Sequence, residues 1–275
     1  MQAEDLLRAG QIEETLAALE SQVRADPADA KLRVFLFQLL SVMGDWNRAL
    51  NQLNVAAELD AMNLLMAQVC RAALACEALR AEVFSGRRSP LVFGRPEEWV
   101  GLLVQANHMM SEAKHDAARA LRERAFDAAP ATAGTIDGEE FEWIADADSR
   151  LGPVLEVIVE GKYYWVPFAA IRQVQIEAPA DLRDLVWLPA HFTWVNGGEA
   201  YGLIPSRYPG SQDSQDHAIR LARKTEWAER PGETYLGLGQ RILATDDDEF
   251  PLLQVRHIEL DQPPATPDDG EANDG

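Results

Sequence analysis

The chain has 275 residues, 47% of them hydrophobic, so it can fill the cores of two domains and is not disordered as a whole. Its formal net charge of −20 repels phosphate backbones and anionic lipid headgroups. The charge therefore argues against nucleic acid and membrane surfaces as partners.

The beginning of the chain does not resemble a signal peptide. Glu4 and Asp5 stand where such a peptide carries basic residues, and no apolar segment follows them. The most apolar helical stretch, residues 64–79, contains Arg71 and Glu77 and is shorter than the ~20 residues that span a bilayer. We expect a soluble, cytoplasmic protein.

Both cysteines fall in this same predicted helix. Cys70 and Cys76 are six residues apart, which corresponds to an axial rise of about 9 Å. Because a disulfide needs Cα atoms within about 7 Å, we expect two free thiols, buried among apolar residues.

The N-terminal part repeats itself at an offset of 34 residues. The matched pairs are Gly10 and Gly44, Ile12 and Trp46, Leu16 and Leu50, Leu19 and Leu53, and Asp26 and Asp60. This period is typical of tetratricopeptide repeats, in which a glycine ends the first helix of each hairpin. Ala61 stands where Pro27 predicts a proline, so the second unit is degenerate.

Further helices complete a predicted array of hairpins. Asp29 is suited to cap a helix whose apolar residues recur at 3.6-residue spacing, and helices are also predicted at 63–84, 97–110 and 114–128. About three hairpins are needed for a stable stack. We therefore predict one tetratricopeptide-like helical domain over residues 1–130.

Stacked hairpins of this kind present the first helix of each pair toward a concave groove. That groove suits a partner helix or an extended peptide. The residues predicted to be exposed in it, as a partner-binding set, are Leu7, Arg8, Lys31, Val34, Gln38 and Ser41. The alternative is that the repeats only support the C-terminal part.

The composition changes after Pro130, where short runs of β-branched and aromatic residues begin. Strands are predicted at 154–159, 163–168, 171–176, 185–188, 218–227, 234–244 and 252–259. Asn196 and Gly197 predict a tight type I′ hairpin turn. We predict an α+β chain with a mainly antiparallel, barrel- or sandwich-like domain over 135–260. The acidic tail, 261–275, is expected to be disordered.

No arrangement of residues indicates catalysis, a cofactor or a metal. The five histidines occur outside H-E-x-x-H and C-x-x-C contexts. Gly237 and Gly239 lack the third glycine of a dinucleotide loop and are better explained as glycines of a strand or a bulge. Residues 246–249 resemble the start of a calcium loop, but Pro251 stands where glycine is needed, which favours a solvated hairpin tip.

Three C-terminal segments resemble, in order, motifs of the ImpE/SciE/TagJ family. They are residues 164–168 (YWVPF), 181–187 (DLRDLVW) and 204–211 (IPSRYPGS). Residues 237–241 (GLGQR) and 251–253 (PLL) also fit, so the resemblance covers nearly all of the chain except the acidic tail. The motif positions whose role is unknown are Trp165, Arg183, Asp184, Trp187, Arg207 and Tyr208.

The resemblance implies a non-enzymatic adaptor of the bacterial type VI secretion system. Such proteins bind a helical segment of the small contractile-sheath subunit, with a proposed link to the AAA+ ATPase that disassembles the sheath. We expect the repeats to engage the sheath subunit and the β domain to contact a second component or stabilise the array. Two alternatives are a general tetratricopeptide adaptor or co-chaperone, and a hydrolase-like enzyme with a β-domain pocket around Arg183, Asp184 and Tyr208.

Overall fold

The computed structural model describes residues 2–94 and 97–261, and in it a helix-rich region precedes a strand-rich one. The helices are α1 (Gln2–Arg8), α2 (Ile12–Ala25), α3 (Ala30–Val42), α4 (Trp46–Leu59), α5 (Leu64–Phe84), α6 (Glu98–Ser111), α7 (His115–Ala128) and α8 (His217–Arg220). The α+β composition is as predicted. The predicted disordered tail lies outside the described residues, apart from Asp261.

The strands follow α7, except for β1, and α8 lies between β9 and β10. They are β1 (Leu91–Val92), β2 (Gly134–Ile136), β3 (Glu139–Phe141), β4 (Ile144–Asp146), β5 (Val154–Val159), β6 (Lys162–Pro167), β7 (Ile171–Ile176), β8 (Trp187–Trp194), β9 (Glu199–Pro205), β10 (Thr225–Arg230), β11 (Thr234–Gly239), β12 (Ile242–Thr245), β13 (Glu249–Pro251) and β14 (His257–Leu260).

The helix boundaries follow the 34-residue offset seen in the sequence. Helix α4 begins at Trp46 and ends at Leu59, and α2 begins and ends 34 residues earlier. Gly10 and Gly44, which follow α1 and α3, have φ angles of +78° and +75°, the left-handed conformation that ends a helix at little cost. The relationship of these hairpins to tetratricopeptide repeats stays a prediction.

Nine strands form one sheet in the order β1-β6-β5-β9-β8-β7-β14-β2-β3. Among the described strands of this sheet, β1 and β6 pair in parallel and the other neighbours pair antiparallel. Two smaller sheets have the orders β10-β11 and β13-β12-β4. The mainly antiparallel arrangement is confirmed, whereas a barrel or sandwich form stays a prediction.

Several predicted strand boundaries are wrong. The region 218–227 was predicted as one strand, but Asp216 accepts a hydrogen bond from the Ala218 N–H (2.7 Å) and caps the short helix α8, so β10 begins only at Thr225. Residues 182–185 and 252–254 are turns of 3₁₀-helix. At the β8–β9 turn only Gly197 has a positive φ, +80°, so the type I′ prediction, which also requires one at Asn196, is wrong.

Buried apolar residues form two clusters, one on each face of the large sheet. The first joins the helices to one face and contains Leu40, Leu103 and Trp187. The second lies on the other face, with residues such as Val157 and Ile258. Helices and sheet therefore share a core. The division into domains at 1–130 and 135–260 stays a prediction.

Helix α5, with the turn before it, spans Ala61–Phe84 and is apolar and long enough to cross a membrane. It is the one such segment among the described residues, and core helices of soluble proteins meet the same criterion. Its buried side chains, including Ala73, Leu74 and Val83, belong to the core shared with the sheet. Its contacts with the sheet define the site described next.

Candidate functional site

Buried polar side chains attach helix α5 to the large sheet. Glu77 accepts a hydrogen bond from the indole N–H of Trp187 on β8, at 2.8 Å. One turn further on, Arg80 donates to both carboxylate oxygens of Glu156 on β5, at 2.6 and 2.9 Å, and to the Arg207 carbonyl at 2.7 Å. Because these groups are buried, each bond is made in a low-dielectric setting and fixes the helix at one position on the sheet.

Glu156 is the centre of a wider buried network. Its carboxylate also accepts from the Tyr163 hydroxyl at 2.6 Å and pairs with Arg241, which in turn pairs with Asp146. Burial acts to raise the pKa of Glu156, but Arg80 and Arg241 hold it at about 2. For Asp146 the burial effect prevails and raises the pKa to about 6, although Arg241 acts in the opposite direction.

An apolar groove lies between the N-terminal half of α5 and the sheet. Its cavity measures about 750 Å³. Leu65, Val69 and Ala72 line it from the helix, at positions that share one helical face. Ile158 and Tyr201 line it from β5 and β9, and other lining residues include Trp187, Pro189, Ala190 and Leu203. We call this the α5 groove.

The α5 groove leaves large apolar side chains in contact with solvent. Leu65 is 74% exposed, Val69 44% and Tyr201 79%. Met62, in the turn before the helix, and Leu64, the first residue of the helix, are also exposed. A contiguous apolar surface of this kind is typical of a protein–protein interaction site.

The rim of the α5 groove is acidic. Among the described residues that line it, Glu160 and Glu177 are acidic and Arg183 is basic. Arg183 is already paired, at 2.6 Å from Asp181 and 3.6 Å from Asp184. The groove therefore favours an apolar segment flanked by basic residues.

Part of the groove predicted on the N-terminal helices is covered by the C-terminal part of the chain. Gln38 and Ser41 were expected to be exposed, but Gln38 is 6% exposed and Ser41 is fully buried. The side chain of Gln38 accepts a hydrogen bond from the Leu182 N–H (3.1 Å), and Ser41 donates to its own helix at Phe37. The prediction of exposure is wrong at these two positions because the turn before β8 packs on α3.

The other four predicted groove residues lie nearer the surface. Arg8 and Lys31 are exposed, while Leu7 and Val34 are half-buried. Arg223 donates hydrogen bonds to the carbonyls of Leu7 (3.1 Å) and Arg8 (3.3 Å). A role in partner binding for Leu7, Arg8, Lys31 and Val34 stays a prediction.

The segment around α8 also attaches to the first hairpin. His217 and Arg220 both contact Glu13 at the start of α2, at 2.8 and 2.6 Å. The second ring nitrogen of His217 lies 2.5 Å from the Gly10 carbonyl. No local pattern predicts these contacts, because His217 is 207 residues from Gly10 and Arg220 is 207 residues from Glu13.

Three of the family-motif residues contact helices from the strand-rich part of the chain. Trp165 and Trp187 are buried against Phe84 and Trp46, with ring centroids 6.0 Å apart in both pairs. Arg207 is buried and donates to the Val42 carbonyl at 2.9 Å. Burial lowers the pKa of Arg207 to about 10, so it remains charged at neutral pH.

Tyr208 explains the glycine of a later motif. Its ring lies so close to Gly237 that an added Cβ there would be 2.2 Å from a ring carbon. Its hydroxyl accepts from the Ile242 N–H at 3.0 Å and lies 3.2 Å from the Ile242 carbonyl. Gly237 is thus a strand residue of β11, as predicted, and its function is to make room for Tyr208.

The three residues suggested for a hydrolase pocket have different surroundings in the described part of the chain. Asp184 accepts from the N–H groups of Ala180 and Asp181, both at 2.8 Å, and closes a helical turn. Arg183 lines the α5 groove, whereas Tyr208 is buried beside Ile242. An enzymatic role for these three residues stays a prediction.

Two other predictions about chemistry can be compared with the structure. Among residues 2–94 and 97–261, no group of three or more His, Cys, Asp or Glu side chains is arranged to hold a metal ion. Cys70 and Cys76 are free and buried, as predicted. Burial raises the pKa of each thiol to about 11, so both are poor nucleophiles at neutral pH.

Comparisons with known proteins agree with this architecture. The crystal structure of protein VPA1032 from Vibrio parahaemolyticus matches with a TM-score of 0.85 and 27% identity, over 96% of this chain and 98% of that one. The two proteins thus define a class in which a helical array is fused, through a buried core, to an antiparallel sheet.

The family follows from the sequence comparisons. The profile of the ImpE protein family matches residues 138–259. The type VI secretion system accessory component TagJ of Pseudomonas aeruginosa is 52% identical over 261 residues, which cover 95% of this chain and 92% of TagJ. This chain belongs to the ImpE family, as its motifs indicated.

Proposed function

We propose that this protein is an accessory component of a bacterial type VI secretion system and acts in the cytoplasm as a non-enzymatic adaptor. Its 52% identity to TagJ supports the secretion-system role. The adaptor role is supported chiefly by the α5 groove, because its exposed apolar side chains offer a binding surface for another protein.

The proposed partner is a helical segment of the small contractile-sheath subunit. An amphipathic helix would place its apolar residues on Leu65, Val69 and Tyr201, and basic residues beside them would face Glu160 and Glu177. This location differs from the N-terminal groove, where Gln38 and Ser41 are buried. The proposed second partner is the AAA+ disassembly ATPase. We propose that it binds the degenerate tetratricopeptide-like array.

Calorimetric titration of the sheath subunit and of its helical peptide tests this proposal. Val69→Asp and Tyr201→Ala should each weaken binding at least tenfold, because the first introduces a charge into the contact and the second removes a large apolar ring. Val195→Asp and Tyr235→Ala are matched controls, since these residues are 47% and 46% exposed outside the groove. Equal affinity in all four variants would contradict the proposed site.

The co-chaperone alternative has less support from the described contacts. A carboxylate clamp for chaperone tails needs free basic side chains, and the sequence offered Arg8 and Lys31. Arg8 is paired with Asp5 at 2.8 Å. Titration of a chaperone C-terminal peptide against the same four variants distinguishes the two proposals, because binding to a clamp at Arg8 and Lys31 would be unaffected by Val69→Asp.

A further inference from the structure

Strand β10 is an open edge of the β10–β11 sheet. The described sheets end in β1, β3, β4 and β13, which have two or three residues each, and in β10 and β11, which have six. The outer edge of β11 is already occupied, because three of its N–H groups donate to neighbouring side chains. Tyr235 donates to Ser149 (2.9 Å), Gly237 to Asp148 (2.8 Å) and Gly239 to Ser211 (2.8 Å). Strand β10 is therefore the long edge without a neighbouring strand in the described part of the chain.

The hydrogen-bond pattern shows which backbone groups of β10 face outward. The Gln240 N–H donates to the Lys224 carbonyl at 3.0 Å, so these two residues form a hydrogen-bonded pair. In an antiparallel ladder, hydrogen-bonded and non-hydrogen-bonded pairs alternate along the strands. The register of β10 with β11 therefore directs the N–H and carbonyl groups of Thr225, Trp227 and Glu229 away from β11. Outward-facing groups of this kind are a template for pairing with a further strand.

The side chains of β10 are accessible as well. Glu226 and Arg230 are exposed, and Trp227 is 38% exposed. Arg230 has no ion pair within the described ranges of the chain. Lys224 contacts Glu226 at 2.7 Å and also Asp216 at 2.6 Å, so Lys224 keeps a partner when Glu226 turns elsewhere. Glu226 and Arg230 are therefore available for contacts with another chain.

Pairing of β10 with the same strand of a second copy is limited to two registers. Two antiparallel copies related by a two-fold axis must place outward-facing residues opposite one another, so the axis passes through one residue of β10. Axes at Trp227 and at Ala228 each pair five of the six strand residues, and any other axis pairs three or fewer. Only these two registers use most of the open edge.

Charge decides between the two registers. With the axis at Trp227, Lys224 lies opposite Arg230 of the second copy, so two pairs of like charges oppose the contact. With the axis at Ala228, Glu226 lies opposite Arg230 of the second copy, and the symmetry makes this pair twice. These are non-hydrogen-bonded positions, where opposing Cα atoms are about 4.5 Å apart and opposite charges stabilise the pairing. The edge is thus complementary to itself in one register.

We propose that this chain forms a homodimer in which β10 pairs antiparallel with β10 of a second copy about a two-fold axis at Ala228. The product is a four-stranded sheet of order β11-β10-β10-β11. Main-chain hydrogen bonds at Trp227 and Glu229 hold it together, with the two Glu226–Arg230 ion pairs beside them. Among the described residues that line the α5 groove, none belongs to β10, so the proposal does not depend on the function proposed for that groove.

Sedimentation velocity of the full chain over a concentration series tests the proposal. The unmodified chain should show a monomer–dimer equilibrium. Glu226→Arg and Arg230→Glu should each weaken the dimer at least tenfold, because both attractive pairs become repulsive. The two variants change the net charge in opposite directions, so a shared loss of affinity is not an effect of net charge. Glu140→Arg, at an exposed position on the edge strand β3, is the matched control and should leave the affinity unchanged.

Mixing the two single variants tests the register itself. In a dimer of one Glu226→Arg chain with one Arg230→Glu chain, both cross-strand pairs again join opposite charges, so the equimolar mixture should recover the affinity of the unmodified chain. The double variant should recover it alone. An unmodified chain that stays monomeric throughout the series would overturn the proposal and leave the edge to a strand of a different protein. A dimer that resists both charge reversals, or a mixture without recovery, would overturn it too.

Discussion

At the scale of single residues, the informative side chains are charged ones that the sequence does not distinguish from surface residues. Glu156 lies within the run 154–159, whose apolar residues predict a strand. Nothing in that run indicates that Glu156 is fully buried or that it pairs with arginines 76 and 85 positions away. Such contacts are set by tertiary packing, which a local pattern does not record.

Glu156→Gln should destabilise the protein in a pH-dependent way. The pKa of Glu156 is about 2 in the fold against an ordinary 4.5, so its ionised form stabilises the fold above pH 4.5. We expect the variant to lose about 3 kcal/mol at pH 7 in urea unfolding. As the pH falls through 4.5 toward 2, this stabilisation is lost, so the two proteins should converge.

The matching control is Glu259→Gln on β14, where the side chain is exposed. Its effect should stay within about 0.5 kcal/mol at every pH. A gap between Glu156→Gln and the unmodified protein that stays constant down to pH 3 would show that the Glu156 charge is not the cause.

Gly237→Ala should reveal the close approach of Tyr208. The added methyl group would collide with the buried ring, so we expect a loss of about 1–3 kcal/mol in thermal or urea unfolding. Gly101→Ala on α6 is the control, because nothing lies within 4 Å of its Cβ position, and there alanine should stabilise the helix by about 0.5–1 kcal/mol. Equal effects at the two glycines would contradict this explanation.

At the scale of elements, prediction succeeded where the local pattern is strong. The strands 154–159 and 171–176 have the predicted bounds, because β-branched and alternating residues mark them clearly. Strands β2, β3 and β4 were missed since each has three residues, too few for a period. The α5 helix was predicted at 63–84, but its groove was not, because the sheet side of that groove comes from residues such as Tyr201, far along the chain.

Trp187→Phe should weaken the attachment of α5 to the sheet. The smaller ring keeps most of the apolar contact but removes the indole N–H that Glu77 accepts at 2.8 Å. An acceptor left unsatisfied in the core costs about 1–3 kcal/mol, measurable by urea unfolding. Trp227→Phe, at a 38% exposed position, should change stability by less than about 0.5 kcal/mol. A Trp187→Phe protein as stable as the control would mean that the bond to Glu77 is replaced by water.

At the scale of the whole molecule, the helical array and the sheet are joined by a common core and by buried ion pairs. The first cluster of buried residues contains side chains from both, among them Leu40 and Trp187. Leu182 and Arg223 of the C-terminal part contact the first hairpins at Gln38 and Leu7, so less of the predicted groove is accessible. A contiguous accessible apolar surface lies instead at α5.

Hydrogen exchange of the full chain, with and without the sheath small subunit, tests the central claim most directly. If the subunit binds the α5 groove, amides in α5 at 64–72 and in β9 should gain protection, while amides in α1 and α3 should exchange as before. Protection confined to α1 and α3, with none in α5 or β9, would contradict the account and return the binding site to the N-terminal hairpins.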